Sequence, residues 1–210
     1  MMPTFNKSNR KFYYVHIPRT AGRYVYELIK SNGFEQDGDD DIVTSHYDRV
    51  SYENYLSVES IPHITVIRNP IDRFFGSSFL LKKTYGENVD YILENTSDFF
   101  ALLDNFWIGN SLKGTISIDP VENMIKYFKP LSDYISPDTK IWRYEDGFDK
   151  KFSYWMSDIL NVDFKINDVS YPRLGANESD KVDRNSRIID NVMEYYKDDI
   201  NKYYRYRADR

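Results

Sequence analysis

Read for the alternation of apolar and polar positions, the chain falls into strands that are each followed by a helix. Lys11 to Ile17 is a β-favouring run ended by Pro18, and Tyr24 to Ser31 has helical spacing with Gly33 as its stop. Ile42 to Thr44 reads as a short second strand and Ser51 to Leu56 as a short helix. Ile64 to Ile67 is a third, β-branched strand, and Ile71 to about Lys83 is the helix after it. Asp98 to Trp107 carries apolar residues at helical spacing, while Gly109 to Pro120, rich in Gly, Ser and Thr, reads as loop. Lys140 to Tyr144 is a late strand. Phe148, Phe152, Trp155, Met156, Ile159 and Leu160 recur at helix period, and Ile188, Ile189, Val192, Tyr196, Ile200 and Tyr203 repeat the pattern in a terminal helix. Both stripes read as core. This order predicts an α/β fold, one domain over residues 1–210 with a central parallel sheet flanked by helices.

Two strand-to-helix junctions carry candidate chemistry. In the first, His16-Ile17-Pro18-Arg19-Thr20-Ala21-Gly22-Arg23 leads from a strand into a helix start, where unpaired main-chain N–H groups and the helix dipole favour an anion. In the second, the strand before Arg68-Asn69-Pro70-Ile71-Asp72-Arg73 ends in a cation at its carboxyl end, the edge of an open α/β sheet where ligands bind. Two cationic strand ends suit one ligand with two separated anionic groups. The plainer reading gives Arg68 and Arg73 surface ion pairs with Asp72.

The first junction resembles the 5′-phosphosulfate loop of sulfotransferases that use 3′-phosphoadenosine 5′-phosphosulfate (PAPS), written His-Ile-Pro-Lys-Thr-Gly-Gly-Thr. The second resembles their 3′-phosphate motif, Arg-Asp-Pro-x-x-Arg followed by a serine. The carbohydrate branch, including the heparan sulfate 2-O-sulfotransferases, is the most similar. Phe128 to Tyr134, Trp142 to Asp146 and Tyr195 to Ile200 share the family's character. The resemblance implies a P-loop-like fold and PAPS as co-substrate, with no metal needed for the transfer. It also implies a hydroxyl-bearing acceptor, a saccharide for this branch.

Carried over residue by residue, the resemblance gives Arg19, Thr20, Ala21, Gly22, Arg23 and Tyr24 to the 5′-phosphosulfate and Arg68 to the 3′-phosphate. Arg19 stands where the family has lysine. A guanidinium stays protonated, so it can neutralise a leaving phosphate but is a poor proton donor. Ala21 replaces the first glycine, which fits the loop if its φ is negative. The family's serine position is Gly76 here, and Ser77 takes over through a small helix shift, or the phosphate loses one hydrogen bond. His46 falls where the 2-O-sulfotransferases place their catalytic histidine, and an ordinary imidazole titrates in a range that suits deprotonating a hydroxyl. Glu35 or one of Asp39 to Asp41 is the fallback base. His16 reads as orienting the loop and His63 as structural. Arg173 and Lys181, in and beside the loop Tyr171 to Ser179, are further phosphate candidates, and Arg143 with Glu145 a structural pair near the site.

Composition narrows the alternatives. The 210 residues are 41% hydrophobic and 17% aromatic, enough to bury a core. The chain has no cysteine, which removes disulfides, thiolate metal sites and thiol nucleophiles and fits a reducing compartment. No apolar run reaches bilayer length and no signal-peptide pattern opens the chain, so the expectation is a cytoplasmic protein with no membrane partner. Little Ala beside much Asn, Lys, Ile and Tyr suggests an AT-rich bacterial or viral genome. The net charge of −5 argues against nucleic acid as a partner and mildly against a highly sulfated polyanion. The alternatives are a phosphotransferase of the nucleoside-kinase type, which lacks its Gly-x-x-x-x-Gly-Lys pattern here, and an inactive module that binds PAPS or its product.

Overall fold

Phe5 and Phe12 face each other across a hairpin at the start of the chain, rings stacked at 5.4 Å, and this pair begins the sheet. The hairpin joins β1 (Thr4–Lys7) to β2 (Arg10–Tyr14) through Ser8 and Asn9, with Ser8 at φ 53°, the positive φ that a two-residue hairpin turn requires. The computed structural model describes residues 4–38, 46–56, 61–85, 95–101, 103, 126–169 and 186–205. The chain divides into two compact units, Met1–Arg68 with Leu131–Pro172 and Asn69–Pro130 with Arg173–Arg210.

The first unit holds a mixed five-stranded sheet. β3 (Glu35–Asp37) is antiparallel to β1, whereas β4 (His63–Ile67) and β5 (Lys140–Arg143) are parallel to β2, giving the order β3-β1-β2-β4-β5. The fold is therefore α/β, but the all-parallel expectation holds only for β2, β4 and β5. A two-residue turn can return the chain only antiparallel, which fixes β1 against β2.

Alternation sorts the side chains of β2 and β4 to two covered faces. Phe12, Tyr14, Ile64 and Val66 pack with Val25, Leu28 and Ile29 of α1 (Gly22–Ser31), and with Phe152, Met156 and Leu160. Phe152, Met156 and Leu160 belong to the helix Lys150–Leu160, whose first turn is capped by Asp149 accepting from the Lys151 N–H at 2.8 Å. On the other face Tyr13 meets Tyr52 of α2 (Arg49–Leu56) at 5.2 Å between ring centroids. α1 stops as the sequence predicts, with Gly33 at φ 78° donating to the Lys30 carbonyl. Asn32 ties that end to the chain after the Lys150–Leu160 helix, bonding the Lys165 carbonyl and N–H at 2.8 and 2.7 Å.

The second unit is helical where it is described. α3 (Pro70–Tyr85), the helix Lys150–Leu160 of the first unit (α4), α5 (Ser186–Tyr195) and α6 (Lys197–Tyr203) complete the α-helices used below. Phe74, Phe75, Phe100, Phe128, Ile188, Val192 and Tyr196 form this unit's core. The single terminal helix of the sequence reading is two helices. The chain bends at Tyr196 (φ −96°, ψ 20°) while the Tyr196 N–H still bonds Val192 and the Ile200 N–H still bonds Tyr196. Its hydroxyl donates to the Phe128 carbonyl at 2.6 Å, which fixes the bend to the Lys126–Phe128 turn. Among the described residues no helix is long and apolar enough to cross a membrane.

Candidate functional site

β2, β4 and β5 end on the same edge of the sheet, the carboxyl edge. From β2 the chain passes through His16, Ile17 and Pro18, turns, and enters α1 at Gly22. Handedness alternates through that turn. Arg19 has φ 66° and Ala21 φ 70°, whereas Thr20 between them and Gly22 after them lie outside the positive-φ region. Alternation of handedness is the backbone pattern of nests, in which successive main-chain N–H groups face a common centre. Ala21 therefore does not meet the negative-φ condition. It adopts the conformation a glycine would take readily, at about 1–2 kcal/mol for an L-residue.

Thr20 is buried and its hydroxyl donates to the Ile17 carbonyl at 2.8 Å, bracing the loop, so its contribution to a ligand is main-chain. α1 begins with no side-chain cap and no acidic residue in its first turn, which leaves the partial positive charge of its N-terminus unopposed there. Arg23 is exposed and Tyr24 half-buried in that turn.

Gly22 has a steric reason to be glycine. A Cβ there would lie 1.9 Å from Nε2 of His16, so the buried imidazole rests directly on the helix start. The His16 ring is also 4.4 Å from that of His46, and Nδ1 of His46 lies 3.2 Å from the His16 main-chain oxygen. His46 is thereby held beside the loop. The strand expected before it, Ile42 to Thr44, lies outside the described residues, as do Asp39 to Asp41. Glu35 sits on the outer strand β3 and is exposed, two strands away from β2.

At the ends of β4 and β5 the register pairs Ile67 with Arg143, so Arg68 and Tyr144 leave the sheet side by side. The Arg68 guanidinium carbon lies 5.1 Å from the Tyr144 ring centroid, and Arg68 makes no hydrogen bond or ion pair among the described residues. Tyr144 opens a 3-10 turn, Tyr144–Asp146, that ends at Gly147 (φ 76°), whose carbonyl accepts from the Trp142 indole at 2.9 Å. Arg143 pairs with Asp146 at 3.4 Å. Phe148 lies between the Tyr144 ring, at 6.0 Å, and that of Tyr24, at 5.0 Å. An aromatic row thus runs from the first turn of α1 to the Arg68 guanidinium. Sequence reasoning missed Tyr144 as the partner of Arg68, because the contact follows from the β4–β5 register.

The other residues of the second junction belong to the second unit. Arg73 is 1% exposed and donates through Nη2 to the carbonyls of Tyr127 (3.2 Å) and Lys129, with the Tyr196 ring 5.8 Å away. The surface pairing with Asp72 is therefore not its role; burial makes it an internal pin. Ser77 is buried as well, and its hydroxyl donates to the Tyr127 carbonyl at 3.0 Å. His63, on β4, sits edge-on to Tyr13 at 5.9 Å and Tyr52 at 5.4 Å, and burial pushes its pKa down. It packs at the opposite end of the strand from Arg68.

Gly109 to Pro120, Tyr171 to Ser179 with Arg173, and Lys181 lie outside the described residues. Among the described residues no three His, Asp or Glu side chains are grouped to hold a metal ion. No protein-family model matches the chain, and no curated protein and no solved structure does.

Proposed function

We propose that this chain is a P-loop-like sulfotransferase that moves the sulfuryl group of PAPS to an acceptor hydroxyl, on a saccharide. One observation carries the reading: the Arg19-to-Gly22 nest, the His46 imidazole and the Arg68 guanidinium all belong to the carboxyl edge of the parallel strands, linked by the His16 contacts and the aromatic row. The nest suits the 5′-phosphosulfate and the Arg68 fork suits the 3′-phosphate, a pairing that a nucleotide with only a 5′-chain does not need.

In the transfer the acceptor oxygen forms a bond to sulfur as the bond from sulfur to the bridging phosphate oxygen breaks. His46 takes the hydroxyl proton on Nε2, and Arg19 with the nest neutralises the phosphate oxygen that departs as adenosine 3′,5′-bisphosphate. The protein's share is positioning and charge stabilisation, as in phosphoryl transfer. Sulfur-labelled PAPS offered with a panel of saccharides, tyrosyl peptides and small alcohols tests the reading. Label transferred to a saccharide is the expected result. Product nucleotide bound without transfer to any acceptor identifies a binding module, and no binding at all removes the assignment.

A further inference from the structure

Among the described residues the Arg68 guanidinium is held by a ring and by no acid. That is unusual at a site beside two carboxylates, since Glu145 and Asp146 follow Tyr144 directly in the chain. Arg143 engages Asp146 at 3.4 Å, and the Tyr144 ring, 37% exposed, lies against Arg68. Contact with a π-face differs from an ion pair in one respect that matters here. It pairs none of the guanidinium N–H groups with an anion, so the fork stays uncommitted to a carboxylate. An ion pair with Asp146 would commit the same fork that a phosphate needs.

Resting on the reading of Arg68 as the 3′-phosphate contact, we infer that Tyr144 is a positioning residue: its ring keeps the Arg68 guanidinium ordered, with its donors open to a phosphate and withheld from the neighbouring carboxylates. The turn that holds the ring is itself fixed. Tyr144–Asp146 closes at Gly147, where the positive φ lets the chain reverse and the Trp142 indole anchors the Gly147 carbonyl. Phe148 supports the ring edge-on from the side of α1. The turn and the Phe148 edge thus set the ring beside the guanidinium.

The test compares Tyr144→Leu and Tyr144→Phe with the wild type in two measurements. The first is calorimetric binding of adenosine 3′,5′-bisphosphate and of adenosine 5′-monophosphate. Tyr144→Leu should lose about tenfold in affinity for the bisphosphate and less than twofold for the monophosphate, while Tyr144→Phe keeps wild-type values. Equal losses for both ligands, or none, overturn the inference. The second measurement needs no ligand: nitrogen relaxation at Arg68 Nε. Its order should fall in Tyr144→Leu and return in Tyr144→Phe, and an unchanged order parameter in the leucine variant overturns the inference. A wild type that binds neither nucleotide removes the sulfotransferase reading, and the relaxation data then decide separately whether Tyr144 holds Arg68.

Discussion

His46 Nδ1 lies 3.2 Å from the main-chain oxygen of His16. A carbonyl oxygen only accepts, so in the neutral ring Nδ1 carries the proton and Nε2 carries the lone pair. The same main-chain group thus orients the ring and selects the tautomer that a general base requires. His46→Ala should lower kcat by about 10² to 10⁴ while adenosine 3′,5′-bisphosphate binds as before, because the base acts on the acceptor in the transition state. Near-normal kcat on a true acceptor transfers the role to a carboxylate. Loss of nucleotide binding makes His46 part of the pocket wall.

The two arginines of the second motif should fail in different ways. Arg68→Ala should weaken adenosine 3′,5′-bisphosphate by about 2 kcal/mol with little change in melting temperature, and should spare a ligand without the 3′-phosphate. Arg73→Leu should instead lower stability by about 3 kcal/mol, since it takes a buried donor from the Lys129 carbonyl and leaves the Tyr127 carbonyl with the Ser77 hydroxyl alone of its two side-chain donors. Denaturant melts beside calorimetric titrations separate the two, and equal behaviour of the variants in both assays contradicts this division.

Two adjacent positions at the start of α1 should both favour glycine, for different reasons. Ala21→Gly relieves a left-handed alanine, and after the glycine's larger unfolded-state entropy the net gain is about 0.5–1 kcal/mol. Gly22→Ala drives a methyl into the His16 ring and should cost about 1–3 kcal/mol, with His46 displaced as His16 moves. Urea denaturation of the two variants measures both, and a destabilised Ala21→Gly protein is the contrary result.

His63 gives a pH dependence of stability. Burial lowers its folded pKa below the ordinary 6.5, so the unfolded state takes up the proton first as pH falls. Its contribution is fully present above pH 6.5 and is lost as pH drops from there through the lowered folded value. Replacing it as His63→Gln should flatten the acid side of the stability curve in that window and leave the curve above pH 7 parallel to the wild type. An unchanged slope below pH 6.5 contradicts the assignment.

Much of the site's frame was legible in the chain. The β2 run, Gly33 and the apolar stripe of α4 follow from residue type and spacing alone. β1 and β3 did not show, because Thr4–Lys7 is too short for alternation to stand out and Glu35-Gln36-Asp37 is wholly polar, as an edge strand can be. The left-handed conformations at Arg19 and Ala21 have no compositional signal, since neither residue is glycine. Arg68 and Arg73 look alike in the motif, and only burial separates a sheet-edge cation from an internal pin. The Tyr144 contact depends on register between strands far apart in sequence, which no local pattern specifies.

The most direct measurement of the central claim is thermal unfolding with adenosine 3′,5′-bisphosphate against ATP with magnesium. A ligand that binds only the folded chain stabilises it by about 2.7 kcal/mol at a hundred times its Kd, or roughly 5–10 °C for a protein of this size. A shift of that order is expected for the bisphosphate and a markedly smaller one for ATP with magnesium, because only the bisphosphate offers Arg68 a 3′-phosphate. Equal shifts, or none with either ligand at saturating concentration, would contradict it.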